Sequence, residues 1–97
     1  MPEYSPRQLE DILGEYLDFP AQAHPAENVA TALRVAGLLE SSGYDFTLKD
    51  LCPKSMDSKW RASFRLGEKE FPAEDAQAAV AICAAAVAAL QDRPDQP

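Results

Sequence analysis

Histidine and cysteine are scarce in this chain, and their scarcity excludes most catalytic and metal-binding templates. The 97 residues contain one histidine, His24, and two cysteines, Cys52 and Cys83, with no C-x-x-C pair. A zinc site, or a nucleophile activated by a histidine base, needs more of these residues in a recognisable spacing. We therefore interpret His24 as a solvated loop residue and Cys83 as a core residue. The sequence predicts no enzymatic activity, no bound metal and no cofactor.

Glycine and long apolar segments are also limited. The four glycines are scattered, so no glycine-rich loop is available to cradle a phosphate. The longest apolar run, from Ala78 to Leu90, is shorter than the roughly 20 residues that cross a bilayer. The segment from Met1 to Ser5 lacks the basic and apolar stretches of a signal peptide. We expect a cytoplasmic protein that does not bind membranes.

Basic residues are fewer than acidic ones, with 9 against 16 and a net charge of -7. This balance argues against a nucleic-acid-binding protein. Asp11, Glu15 and Asp18 recur at helical spacing, so they share one face of a helix. We name these three residues the acidic stripe. The stripe has two interpretations: a solvated helix face, or a docking surface for a protein with a basic surface.

The length and the proportions of 46% hydrophobic and 26% charged residues are typical of one domain. We predict a single domain over residues 1–97, with residues 92–97 as a disordered tail. Ser5, Pro6 and Gln8 have the spacing of a capping box and predict the start of a first helix that ends before Pro20. Its predicted core stripe consists of Leu9, Ile12, Leu13, Tyr16 and Leu17.

A second helix is predicted from Ala26 or Asn28 to just before Gly43. Leu38 lies among its polar residues and is a candidate partner contact. Its predicted core face consists of Val29, Ala32, Leu33, Val35, Ala36 and Leu39.

Alternating apolar and polar residues predict strands at 44–48 and 60–64, and a turn at 66–69 leads to a short third strand near 70–73. The last helix begins near Asp75, runs to about Gln91 and is apolar nearly all round. The sequence thus predicts an α+β fold of order α-α-β-β-β-α, in which a short antiparallel sheet of about three strands packs with three helices.

One side of the last helix can cover the sheet, and its other side needs cover of its own. We predict a homodimer or a partner-binding groove on that second side. The alternative is that the first or second helix covers it within the chain. The residues of this alanine face are Ala78, Ala81, Ile82, Ala85 and Ala89.

The C-terminal half is similar to a known family. Trp60-Arg-Ala-Ser-Phe64 and Ala79-Val-Ala-Ile-Cys-Ala-Ala-Ala86 resemble segments of the phage ABA sandwich family, which comprises small phage and prophage proteins. The resemblance implies two N-terminal helices, a short antiparallel sheet and a terminal helix. The chain departs from the family pattern by additional alanines around the cysteine motif. The family has no established activity, so the resemblance implies no functional residues.

Size, acidity and resemblance together favour a non-catalytic phage or prophage accessory protein that binds a host or phage protein with a basic surface. The most concrete hypothesis is an inhibitor of a host defence complex, in the manner of anti-CRISPR proteins, which binds through the acidic stripe and Leu38. One alternative is a homo-oligomeric structural or regulatory module. Another is a small nucleic-acid-binding protein that uses a basic hairpin, consisting of Lys59, Arg61, Arg65 and Lys69.

Overall fold

Three helices and a three-stranded antiparallel sheet form the structure, a computed structural model that describes residues 5–17, 24, 26–51 and 59–91. This result confirms the predicted α+β fold and the predicted order of its elements. The predicted tail at 92–97 lies outside the described residues. The elements are α1 (Pro6–Leu17), α2 (Val29–Ser41), β1 (Asp45–Asp50), β2 (Trp60–Leu66), β3 (Lys69–Asp75) and α3 (Ala78–Gln91).

Helix α1 begins with the predicted capping box. The Ser5 N–H donates to Gln8 Oε1 at 2.8 Å, and the Gln8 N–H donates to Ser5 Oγ at 3.2 Å, so two otherwise unsatisfied amides are paired. Leu9 and Leu13 of the predicted core stripe are buried, whereas Tyr16 is 45% exposed and Glu10, which lies outside the predicted stripe, is buried. The Glu10 carboxylate accepts the backbone N–H of Ala26 at 3.1 Å, so this polar side chain is buried with a hydrogen-bond partner.

Helix α2 starts after Asn28, whose side-chain oxygen accepts the N–H of Thr31. The buried side is narrower than predicted, since Val29 and Leu33 are each 44% exposed. Both lie at one edge of the apolar side of α2, away from the residues of this helix that are buried in the core. The residues that do reach the core are Ala32, Val35, Ala36 and Leu39.

The sheet has the order β1-β2-β3 and is antiparallel throughout. Phe64 of the central strand pairs with Phe46 on one side and Phe71 on the other, and the Phe46 and Phe64 ring centroids are 5.0 Å apart. A two-residue turn joins β2 to β3, with Gly67 at a φ of +63°, a backbone conformation that glycine adopts without strain. Pro72 lies in the edge strand β3, where its missing N–H costs no pairing within the sheet.

Helix α3 is the central layer of the molecule. The sheet strands β2 and β3 pack against it, and α1 and α2 also contact it. Residues are buried around nearly its whole circumference, as expected for a helix that is apolar on all sides. The helix begins at Ala78, later than predicted, because Asp75 still pairs with Trp60 in the sheet and its carboxylate accepts the Gln77 N–H at 2.9 Å.

The alanine face is covered within the chain. Ala81, Ile82, Ala85 and Ala89 have no exposed surface, and Ala78 is also buried. Because α1 and α2 both contact α3, they provide the cover that the sequence prediction assigned to a second copy. The prediction of a dimer interface or partner groove on this face is therefore corrected, and the intrachain alternative is the one observed.

Across the described residues, every helix is too short or too polar to span a lipid bilayer.

Candidate functional site

Two members of the acidic stripe, Asp11 and Glu15, lie on the outer side of α1. Asp11 and Glu15 are exposed, and neither forms an ion pair within the described part of the chain. Asp18, the third predicted member, lies outside the described residues. Leu38, the predicted apolar contact, is 42% exposed. It lies on α2, a different helix from the one that carries Asp11 and Glu15. The structure thus presents two carboxylates of the stripe to solvent on a regular helix.

A second group of polar side chains lies where α1 meets the segment before α2. Nδ1 of His24 is 3.4 Å from Glu10 Oε1 and 3.3 Å from Glu27 Oε2. We name these three residues the His24 cluster. The Glu10 side chain is 8% exposed, whereas those of His24 and Glu27 are 58% and 70% exposed. The cluster therefore joins one buried carboxylate to an imidazole and a carboxylate that solvent can reach.

The backbone around the His24 cluster holds its members in place. The Glu27 N–H donates to the His24 carbonyl at 3.0 Å, which closes a tight turn. His24 has a φ of +50°, a left-handed conformation that costs a non-glycine residue about 1–2 kcal/mol. The Ala26 N–H in the same turn donates to Glu10 Oε2. These contacts fix the turn against α1.

Sequence reasoning missed the His24 cluster. It correctly placed His24 in a loop with substantial exposure, but it searched for zinc ligands among histidine and cysteine alone. Glu10 and Glu27 gave no signal of their own, because each resembles an ordinary helix-surface carboxylate in the sequence. Burial of Glu10 arises from tertiary packing, since its carboxylate contacts a residue 16 positions further along the chain.

Cys83 is not a member of the His24 cluster. It is a free, fully buried thiol in α3. Burial raises its pKa to about 12, and the nearby negative charge of Glu10 contributes to the increase. The thiol stays protonated at neutral pH, which agrees with the predicted role as a core residue.

The predicted basic hairpin does not form one continuous surface. Arg61 and Arg65 lie on the outer face of the sheet, whereas the pairing of Lys69 with Leu66 places Lys69 on the helix-facing side. Lys59 Nζ lies 3.4 Å from Glu74 Oε1.

Acidic residues lie next to the two arginines on the outer face of the sheet. On the outer face, Arg65 pairs across the sheet with an acidic residue on each side, whereas Arg61 pairs with an acidic residue on one side and with Lys49 on the other. Opposite charges at paired positions reduce the positive field that a nucleic-acid backbone would require. The acidic residues in these rows are Asp45, Glu70 and Glu74.

No family model, curated protein or solved structure matches the chain. The resemblance to the phage ABA sandwich family therefore stays a prediction, and the function has to be inferred from the surfaces of the molecule.

Proposed function

We propose that this chain is a non-catalytic protein that binds a basic surface of another protein through the acidic stripe, of which α1 carries Asp11 and Glu15. The observation that carries the proposal is the exposure of Asp11 and Glu15 on one helix face, where neither forms an ion pair among the described residues. Unpaired carboxylates on a rigid helix produce a directed negative field, which steers an oppositely charged partner.

The distribution of charge supports the same proposal. The net charge is -7, and basic residues of the sheet face are interleaved with acids. A nucleic-acid-binding role therefore has less support than binding of a basic protein. A homo-oligomeric role also has less support, because the alanine face, which was its candidate interface, is buried within the chain.

The proposed class of partner is a nucleic-acid-binding protein of a host defence complex, whose basic groove the stripe would occupy. The resemblance to small phage proteins supports this finer step, and Leu38 on α2 is proposed as an apolar contact in addition to the charged one. Proteins that bind nucleic acid carry basic surfaces, and the negative charge of the stripe is complementary to such a surface.

A charge-matched pair of variants tests the proposal. Asp11→Asn/Glu15→Gln removes the described part of the stripe, and Glu40→Gln/Glu68→Gln removes the same amount of charge from exposed sites elsewhere. Each protein is used as bait in host lysate at low and at physiological salt, and the bound proteins are quantified.

We expect a partner that the wild-type chain and the control variant retain and the stripe variant loses. Binding should weaken as salt rises, because the stripe acts through screened charges. The same partner should release nucleic acid when the wild-type chain is added. Equal capture by both folded variants would contradict the role of the stripe, and capture without release of nucleic acid would contradict the inhibitor hypothesis.

A further inference from the structure

We propose that the His24 cluster binds one divalent transition-metal cation, with Zn²⁺ as its representative. Glu10, His24 and Glu27 each offer one ligand atom, and these atoms all lie within 4.8 Å of one another. The site goes beyond the proposed protein-binding function and replaces the sequence expectation of no metal, which considered His24 only with the two cysteines.

Two of the three separations between the ligand atoms match those around one tetrahedral ion, and the two carboxylate oxygens lie within 4.8 Å of each other. Zinc ligands lie about 2.0–2.2 Å from the metal in a tetrahedral arrangement, which places neighbouring ligand atoms about 3.3–3.6 Å apart. His24 Nδ1 lies 3.4 Å from Glu10 Oε1 and 3.3 Å from Glu27 Oε2. Both distances exceed the usual 2.7–3.2 Å range of N–H···O hydrogen bonds. A cation would satisfy all three atoms at once, whereas one imidazole N–H can satisfy only one carboxylate well.

The cluster contains one buried carboxylate, which a cation would stabilise. Glu10 is a carboxylate with a side chain only 8% exposed, and a buried carboxylate is costly unless it is paired or coordinates a metal. Its Oε2 accepts the Ala26 N–H, which leaves Oε1 directed towards His24. A hydrogen bond to the second oxygen of a ligating carboxylate fixes its orientation and strengthens metal binding.

The turn before α2 supplies the other two ligands in a fixed geometry. His24 keeps a left-handed φ of +50°, and such strain persists at ligand clamps where surrounding contacts over-determine the backbone. The Glu27 N–H to His24 carbonyl bond holds these two residues on one side of the site. The ion would join α1 to the start of α2.

The ligand set favours a particular class of cation. An imidazole nitrogen suits zinc and other transition metals, whereas calcium and magnesium prefer oxygen ligands alone. Three protein ligands leave a fourth position for water. Since His24 and Glu27 are more than half exposed, an ion can enter from solvent without opening the core.

Zinc titration of the full chain, stripped with chelator, tests the site. Calorimetry should show one Zn²⁺ bound per chain, and zinc at about 100 times its Kd should raise the Tm by about 10 °C or more. Glu27→Gln should weaken zinc binding by about tenfold or more, because it removes an exposed ligand and leaves the core intact. Glu15→Gln, which makes the same charge change on the outer side of α1, should bind zinc like the wild type.

Two further variants distinguish binding at the His24 cluster from binding through a cysteine thiolate. His24→Asn removes the imidazole while asparagine tolerates the left-handed backbone, and it should also lose zinc affinity. Cys52→Ser should bind zinc normally. The proposal is overturned if the wild-type chain binds no zinc, if Glu27→Gln and Glu15→Gln bind equally, if Cys52→Ser abolishes binding, or if Mg²⁺ binds as tightly as Zn²⁺.

Discussion

Cys83 illustrates how burial controls the chemistry of a single residue. The thiol is fully buried in α3, and its pKa rises from the ordinary 9.0 to about 12, mainly through desolvation and secondarily through the charge of Glu10. A thiolate is the reactive form of cysteine. The native protein therefore protects this thiol twice, by excluding reagents and by keeping the proton on sulfur.

We predict that in a Cys52→Ser variant the remaining thiol does not react with a disulfide reagent at pH 8 until the chain unfolds.

The pH dependence of stability follows from the same pKa. The unfolded thiol loses its proton near the ordinary value of 9.0 and the folded thiol at about 12. Its contribution to stability is therefore complete below about pH 9 and is lost as pH rises towards 12.

Thiol titration with and without denaturant, and denaturant unfolding between pH 8 and pH 11, measure the two effects. The control for the second measurement is Cys52→Ser/Cys83→Ala, which should lose less stability over this pH range. Rapid reaction of the native thiol, or the same pH dependence in both variants, would contradict the assignment.

Conformations of single residues also mark the limit of sequence reasoning. The capping box of Ser5 and Gln8 was predictable because its two hydrogen bonds join neighbours in the chain. The buried carboxylate of Glu10 was not predictable, because it depends on contact between α1 and a distant turn. The left-handed backbone of His24 also had no signal in the sequence. The proposed metal site consists of such contacts, so its residue types alone gave no signal.

At the scale of elements, α3 shows how side-chain size sets the distance between layers. Its alanines permit α1, α2 and the sheet to approach one helix from several directions. Small side chains allow close helix packing, and interiors packed in this way tolerate added volume poorly. Ala85 has no exposed surface, whereas Ala88, on the same helix, is half-buried.

We predict that Ala85→Leu lowers the free energy of unfolding by about 1–3 kcal/mol, because the added atoms overpack the interior. Ala88→Leu is the matched control and should change it by less than about 1 kcal/mol, since part of the larger side chain can reach solvent. Denaturant unfolding, followed by circular dichroism, measures both. Equal losses for the two variants would mean that the environments of Ala85 and Ala88 do not differ as described.

Sequence periodicity predicted which elements form, but it did not determine which residues of each helix face the core. Helix α1 buries Glu10, whose carboxylate accepts the Ala26 N–H, and leaves the predicted core residue Tyr16 exposed. The buried arc of α2 excludes Val29 and Leu33. The sheet was more predictable, since a period of two leaves only two possible faces. For α3, an apolar pattern on all sides indicated burial but not whether its cover came from the same chain.

At the scale of the whole molecule, the two proposed sites use α1 differently. The outer side of the helix carries Asp11 and Glu15 of the stripe, and the side that carries Glu10 meets the turn before α2. A cation at the His24 cluster would hold α1 on the body of the protein and offset part of its negative charge. The metal would therefore stabilise the element that presents the proposed docking surface without contacting the partner.

Net charge is the final property of the whole chain with a measurable consequence. A net charge of -7 destabilises the folded state through self-repulsion, because folding brings the charges together. The radius of gyration is 12.7 Å, compared with about 30 Å for an unfolded chain of similar length. The Debye length is about 30 Å at 10 mM salt and about 8 Å at 150 mM, so only the lower concentration leaves repulsion effective across the folded molecule.

We predict that the Tm of the chelator-treated protein rises as NaCl increases from 10 to 150 mM. Salt also weakens ion pairs, but the exposed Lys59–Glu74 pair belongs to a class worth at most about 1 kcal/mol, and relief of repulsion should outweigh it. Asp11→Asn/Glu15→Gln lowers the net charge to -5, since two of the seven excess negative charges are removed, and should show a smaller rise. Thermal unfolding at both concentrations measures the effect, and chloride is preferred to sulfate because sulfate strengthens apolar burial by itself. A Tm that falls with salt would mean that attractive pairs, rather than repulsion between carboxylates, dominate the electrostatics of this fold.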